Sequence, residues 1–256
     1  MSDDCRFTEY EAFCKATECG LGDKMFCSAL IGDIQEAGER GSDALGYGTP
    51  FLRDHGICWI ILRMRLHFDT LPSWGDTFYI RTWANSLKKI YYGREFEIVD
   101  SSGNVIGMAT STWILADWNS HRPVIAGKNP DLPEYVLQGD AYVFGDECPK
   151  IKVPDREAVF DETVKPAIIK YADFNELDRN RHVNNTRYTA WAYDALYKSG
   201  YDVSLIEDLI INYNSEVKPG DKVEVFITDI DGVNMVYGYK NFDTKVFAVR
   251  VTMRKV

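Results

Sequence analysis

The chain has 256 residues, 45% of them hydrophobic and 13% aromatic, which is enough to bury a sizeable core and excludes disorder over most of its length. It carries 39 Asp and Glu against 29 Lys and Arg, and the resulting net charge of −10 disfavours whole-surface binding of nucleic acid. No apolar run approaches the ~20 residues that span a bilayer, and the cysteines at 5, 14, 19, 27, 58 and 148 lack the spacing of zinc sites. The acidic, polar start is unlike a signal peptide, so reduced thiols in a cytoplasmic protein are expected.

In chain order, Ser28 is the expected cap of a helix whose apolar face runs Leu30, Ile31, Ile34, Ala37, Ala44 and Leu45. Gly46 and Gly48 end that pattern, because glycine tolerates the positive φ of a helix stop. Extended, aromatic-rich runs follow at 59–69, 77–84, 89–99 and 105–117, with turns at 71–76 and 100–104, and they predict a β-meander. The second half repeats the order. Asn184 or Asn185 caps a helix with Tyr188, Trp191, Ala192, Ala195 and Leu196 on its apolar stripe, and Gly200 closes it. Runs at 208–217, 222–232, 234–244 and 245–256 give a second meander, with a Lys-Pro-Gly-Asp turn at 218–221 where the first half has Gly75-Asp76. The fold class expected is α+β, with each curved antiparallel sheet wrapped around its helix. The expected domains are 1–135 and 161–256, joined by a Pro-containing, weakly periodic linker at 136–160.

One stretch gathers polar residues ahead of a helix. Asp178, Asn180 and His182 stand at i, i+2 and i+4, so in an extended segment they share one face while Arg179 and Arg181 point away. A helix beginning just beyond them would add unsatisfied N–H donors. A base, an amide and helix-end donors are the parts with which water attacks a carbonyl. A turn and cap without chemistry is the alternative for the same residues. Motifs for other chemistries (GxGxxG, the P-loop, GxSxG, HExxH) do not occur.

The run Leu177-Asp178-Arg-Asn180-Arg-His182-Val-Asn184-Asn185-Thr-Arg-Tyr188 closely resembles the L-D-x-N-x-H-V-N-N-x-x-Y signature of acyl-ACP thioesterases. Trp59-Ile-Ile-Leu-Arg63, Pro72-Ser-Trp74-Gly75-Asp76, Thr82-Trp83, Ser111-Thr-Trp113, and Asn119 followed by Arg122-Pro123 look similar to further motifs of that family, so the likeness covers nearly the whole chain. It implies a tandem pair of hotdog domains, the first binding the acyl chain and the second catalytic, with no cofactor and no metal. By motif, Asp178, Asn180 and His182 match the family's Asp-Asn-His set, and Glu216, in Tyr213-Asn-Ser-Glu216-Val217, matches a further carboxylate on the strand after the helix. Plant members often carry Cys after that glutamate. Here the position is Val217 and no cysteine follows Cys148, so the resemblance implies direct hydrolysis by activated water rather than a Cys–His route.

The implied activity is hydrolysis of fatty acyl-acyl carrier protein to free fatty acid and carrier. An acyl-CoA thioesterase and a non-catalytic acyl-thioester binding protein on the same scaffold are the alternatives. The acyl chain is expected in a tunnel lined by the first domain's helix and the strands of Trp83 and Trp113. Asn180 and helix-end N–H groups would stabilise the oxyanion, Glu216 or His182 would take the proton, and Asp178 would hold Asn180 or His182. The carrier is itself acidic, so a local cationic face must receive it. Arg179, Arg181 and Arg187, with Lys165, Lys170 and Lys198 nearby, are the candidates. A monomer and a homodimer are both compatible with a tandem pair.

Overall fold

The computed structural model describes residues 7–125, 132–160, 163–230 and 233–255. Cys5 and the last residues of two expected strands, 231–232 and 256, lie outside the described residues. The chain divides into two compact units, Met1–Cys148 and Pro149–Val256.

Unit 1 opens with a short strand, β1 (Thr8–Phe13), which no sequence period announced. Helix α1 (Cys27–Asp43) buries Leu30, Ile31, Ile34 and Ala37 as the spacing required. It begins at Cys27 rather than after Ser28, without a side-chain cap; the Phe26 carbonyl accepts the Ala29 and Leu30 N–H groups instead. Gly46, at φ 80°, ends the helical region, and a two-turn helix α2 (Thr49–Asp54), not foreseen, follows with Pro50 in its first turn. The meander is β2 (Ile57–Phe68), β3 (Thr77–Lys88), β4 (Tyr91–Asp100) and β5 (Val105–Asp117). The five strands are antiparallel in the order β1-β3-β4-β5-β2.

Unit 2 repeats this plan. A one-turn helix α3 (Arg156–Val159) precedes a short first strand, β6 (Ile168–Tyr171), again unannounced by periodicity. Helix α4 (Asn185–Lys198) is followed by β7 (Ile206–Tyr213), β8 (Lys222–Ile230), β9 (Val233–Lys240) and β10 (Thr244–Met253). Their antiparallel order, β6-β8-β9-β10-β7, is that of unit 1 strand for strand. Each unit is therefore a hotdog domain, and the class is α+β.

The matching turns share a mechanism as well as a place. In one, the Ser73 N–H donates to the Asp76 carboxylate at 2.8 Å; in the other, the Lys218 N–H donates to Asp221 at 3.0 Å. Gly75 (φ 87°) and Gly220 (φ 83°) occupy the position of each turn that demands positive φ. Packing of the helices is apolar: Trp191 is 1% exposed, and Tyr188 stacks on Phe247 with ring centroids 5.4 Å apart. The expected linker is bonded along its length. Gln138 pairs with Ala84, the Ala141 carbonyl accepts from Trp83 Nε1 at 3.1 Å, and the Ile151 backbone exchanges two hydrogen bonds with the Asn212 side chain.

One buried carboxylate stands out in unit 1. Glu95 on β4 is fully buried and accepts from Asn85 Nδ2 (2.9 Å), Thr110 Oγ1 (2.7 Å) and the Val143 N–H (3.2 Å). Burial pushes its pKa up to about 7, with these donors working against the rise. The folded state therefore keeps this proton to higher pH than the unfolded chain does. The resulting stability is full below the ordinary glutamate value of 4.5 and is lost as pH rises through about 7. Urea titrations of the wild type should show unfolding free energy falling across that window, by up to about 3 kcal/mol. Glu95→Gln should flatten the fall; an unchanged slope would mean Glu95 is already ionised at the acid end.

Candidate active site

The polar segment before α4 folds as a tight turn, not as the extended run its spacing suggested. Leu177 and Val183 form an antiparallel bridge. Between them the Asp178 N–H donates to the His182 carbonyl at 2.8 Å, and the Arg181 N–H donates to the Asp178 carbonyl at 3.0 Å. The Asp178 carboxylate accepts the backbone N–H of Asn180 at 2.7 Å and of His182 at 3.2 Å. A short carboxylate side chain competes well for donors two to four residues ahead, and that local satisfaction defeats the extended conformation. Arg181 takes φ 62°, a costly value for a residue with a Cβ, and the surrounding bonds hold it there.

The consequence is a division of labour. Asp178 turns inward onto the backbone of the loop, Asn180 stands exposed at its tip, and His182 reaches a second segment. His182 Nε2 lies 3.4 Å from Glu216 Oε2, with the imidazole 21% and the carboxylate 41% exposed, so water has access to the pair. Glu216 sits three residues beyond the end of β7, not on the strand, because the chain leaves the sheet at Tyr213. The two segments are stitched by backbone: the Val183 N–H donates to the Val217 carbonyl at 2.9 Å. The Val217 N–H bonds to the Tyr188 hydroxyl, whose pKa burial pushes above its ordinary value, so it stays a neutral phenol. Both backbone groups of Val217 thus take part in positioning this segment.

Lys240 and Tyr188 are the positioning groups that sequence reasoning missed. Lys240 Nζ donates to the Glu216 carbonyl at 2.6 Å and to the Asp221 carboxylate at 2.8 Å, tying the Glu216 segment to the following turn. The interaction raises no signal in the sequence, since Lys240 closes a strand 24 residues away. Tyr188 was legible as an apolar helix position and as the last residue of the signature run, but its hydroxyl's task was not. Glu176 anchors the other flank: its carbonyl accepts the Asn184 N–H at 2.8 Å, and its carboxylate accepts Trp191 Nε1 at 2.9 Å.

The helix start offers less than expected. Asn184 caps α4, its Oδ1 accepting the Thr186 N–H at 3.0 Å and the Thr186 hydroxyl at 2.8 Å, while its carbonyl accepts the Arg187 N–H at 2.9 Å. The Thr186 and Arg187 amides are therefore engaged within the helix start rather than open to an oxyanion. Arg179, Arg181 and Arg187 are exposed beside the site, Arg187 bonding the Asn175 carbonyl at 3.2 Å; Lys165 and Lys198 are also exposed. Lys170 is committed to Asp194 at 2.8 Å.

Unit 1 contains a pocket between α1 and the sheet, with Trp59, Tyr92, Trp113 and Tyr135 in its wall. Of the two strands expected to line an acyl tunnel, that of Trp113 contributes to this wall. Trp83 does not: it is 1% exposed, in the core, with Nε1 donating to Ala141.

Two units with one strand order, the second carrying a water-accessible imidazole–carboxylate pair beside a constrained turn, define a tandem hotdog protein. The family follows from comparison. The acyl-ACP thioesterase N-terminal domain matches residues 9–128 and the acyl-ACP thioesterase C-terminal domain matches residues 157–248, so the chain belongs to the acyl-ACP thioesterase family. It is similar to oleoyl-acyl carrier protein thioesterase 1, chloroplastic, of Arabidopsis thaliana, at 25% identity over 241 residues. That match covers 86% of this chain and 64% of the plant protein, so the chain spans a little under two thirds of this relative. The fold is that of an acyl-ACP thioesterase from Bacteroides thetaiotaomicron (TM-score 0.83, 20% identity, 97% of this chain and 98% of that one). It is also that of the 12:0-ACP thioesterase from Umbellularia californica (TM-score 0.74, 18% identity, 97% of each chain).

Replacing Asp178 with Ala leaves the Asn180 and His182 amides without their acceptor, at a cost of about 1–3 kcal/mol if the turn stays closed. Asp178→Asn keeps an acceptor oxygen and should recover most of that loss. Equal destabilisation of both variants in denaturant melts would show that charge, rather than acceptor geometry, holds the turn.

Proposed function

We propose that this protein hydrolyses the thioester of fatty acyl-acyl carrier protein, releasing free fatty acid and the carrier's thiol. The observation that carries the reading is the His182–Glu216 contact of 3.4 Å, on the very segment that bears the family's signature. A water between or beside these groups loses its proton to one of them as its oxygen bonds to the thioester carbon. The C–S bond then breaks, and the proton is returned to the departing sulfur. Asp178 contributes by fixing the backbone that presents His182, and Asn180, exposed at the tip, can offer its amide to the oxyanion. No thiol nucleophile is at hand in unit 2, because no cysteine follows Cys148. The unit 1 pocket, walled by aromatic rings, suits the acyl chain. A cytoplasmic location belongs to the same reading and draws on the five described cysteines, all of which are free thiols.

Loss of a general base costs about 10²–10⁴ in rate. His182→Ala and Glu216→Ala should each lower thiol release from acyl-ACP by that factor, with the fold retained by circular dichroism. Activity of both variants within about threefold of wild type would remove the assignment. Run beside acyl-CoA of the same chain, the assay also separates carriers, and a higher kcat/KM on CoA would replace the carrier part of the proposal.

The carrier is anionic and the chain has a net charge of −10, so docking must be local. Arg179, Arg181 and Arg187 form the proposed landing face. Reversing Arg179 and Arg181 to Glu should raise KM for acyl-ACP at low salt and leave a short acyl-thioester analogue unaffected. Equal changes for both substrates would count against docking there.

A further inference from the structure

The unit 1 pocket is not the plain hydrocarbon slot that a saturated chain would need. Arg94, on β4, lines it and is 5% exposed. Its Nη1 donates to Thr82 Oγ1 at 3.3 Å, while its buried Nη2 has no hydrogen-bond partner among the described residues. Leaving a charged donor unmatched in a dry site costs more than leaving out the group altogether.

The helix is cut away to admit this side chain. Gly38 and Gly41 face it from α1, and a Cβ at Gly41 would stand 2.5 Å from Arg94 Nη1. The helix-interior Gly41 that makes this room costs about 1 kcal/mol relative to alanine, whereas a Cβ at Gly38 would make only ordinary contact with the Arg94 stem. The rest of the wall is mixed. Gln35, Glu39 and Ser42 contribute polar groups from the same face of α1, opposite Trp59, Tyr92, Trp113 and Tyr135. Ser42 is spoken for, donating to the Tyr47 carbonyl at 2.8 Å and accepting from Trp59 Nε1 at 2.9 Å. Glu39 Oε1 accepts the Thr49 N–H at 2.7 Å, and its charge acts on Arg94. The Tyr135 hydroxyl also engages the guanidinium.

We infer that Arg94 makes this pocket selective for acyl chains that carry a neutral oxygen function, a hydroxyl above all, with Nη2 as the donor to that oxygen. A chain ending in a carboxylate fits less well, because Glu39 already supplies the negative charge that Arg94 would otherwise seek. A hydroxyl accepts from Arg94 and can donate to Glu39 at once. A saturated chain would leave Nη2 unmatched, and sites built to meet a substrate oxygen discriminate strongly against analogues lacking it.

The inference rests on the reading of this pocket as the acyl site, and its test does not need turnover. Trp59 and Trp113 report binding through their fluorescence. Non-hydrolysable pantetheine amides of lauric, palmitic and stearic acids are titrated against their monohydroxylated counterparts. At least one hydroxylated ligand should bind about 10- to 100-fold more tightly than its parent, the range expected for a hydrogen bond to a charged donor. Arg94→Met should abolish that difference while keeping or improving affinity for the parent. Equal or weaker binding of every hydroxylated ligand by the wild type overturns the inference, as does no binding of either set. Should Arg94→Met fail to fold, the wild-type comparison decides by itself. A hydroxyl preference without thiol release from acyl-ACP would leave this inference standing and remove the proposed function. Thiol release without the preference would do the reverse.

Discussion

The geometry of the candidate site depends on one carboxylate that is spent on the backbone of its own loop. Asp178 gathers two backbone N–H groups and closes five residues into a turn, and only that turn presents His182 to Glu216. Around it the chain supplies redundancy. The Val183–Val217 backbone bond, the Asn184–Glu176 bond and the Lys240 bridge each fix one flank of the imidazole–carboxylate pair. Positive φ at Arg181 is the mark of a loop held against its local preference.

Much of the scaffold was legible because its signals are strong and periodic. The strand at 105–117 and the helix around Trp191 follow from alternation and from three- and four-residue spacing. The repeat extended further than the letters suggested, down to a shared strand order and two turns built on the same aspartate and glycine. Missing from the sequence were β1 and β6, six and four residues long, each pairing only at one edge of its sheet. Strands that short carry too few residues for a period to show, and their place is decided by an edge that needs a partner. Helix α2 was hidden likewise, behind two glycines that read as a stop.

The site divides along similar lines. Motif resemblance pointed to Asp178, Asn180, His182 and Glu216, and the fold brings His182 and Glu216 together although 34 positions separate them in the chain. Periodicity misjudged the local shape: alternate spacing suggests a shared face only if the backbone stays extended, and Asp178 prevents that. The helix-end donors were misjudged for a related reason, since Asn184 caps the helix well enough to occupy the amide of Thr186. Contacts such as Lys240 to Glu216 are products of tertiary folding and leave no local trace. Charge followed the same rule: −10 over the chain is uninformative beside the placement of three exposed arginines near the turn.

The central claim is that His182 and Glu216 act as one unit in hydrolysing acyl-ACP, and a double-mutant cycle on kcat/KM for thiol release tests it most directly. Residues that share one catalytic task are strongly non-additive. The account predicts that the variant lacking both side chains loses about as much as the worse single variant. A double loss equal to the product of the two single losses would contradict it, because the two groups would then be contributing independently.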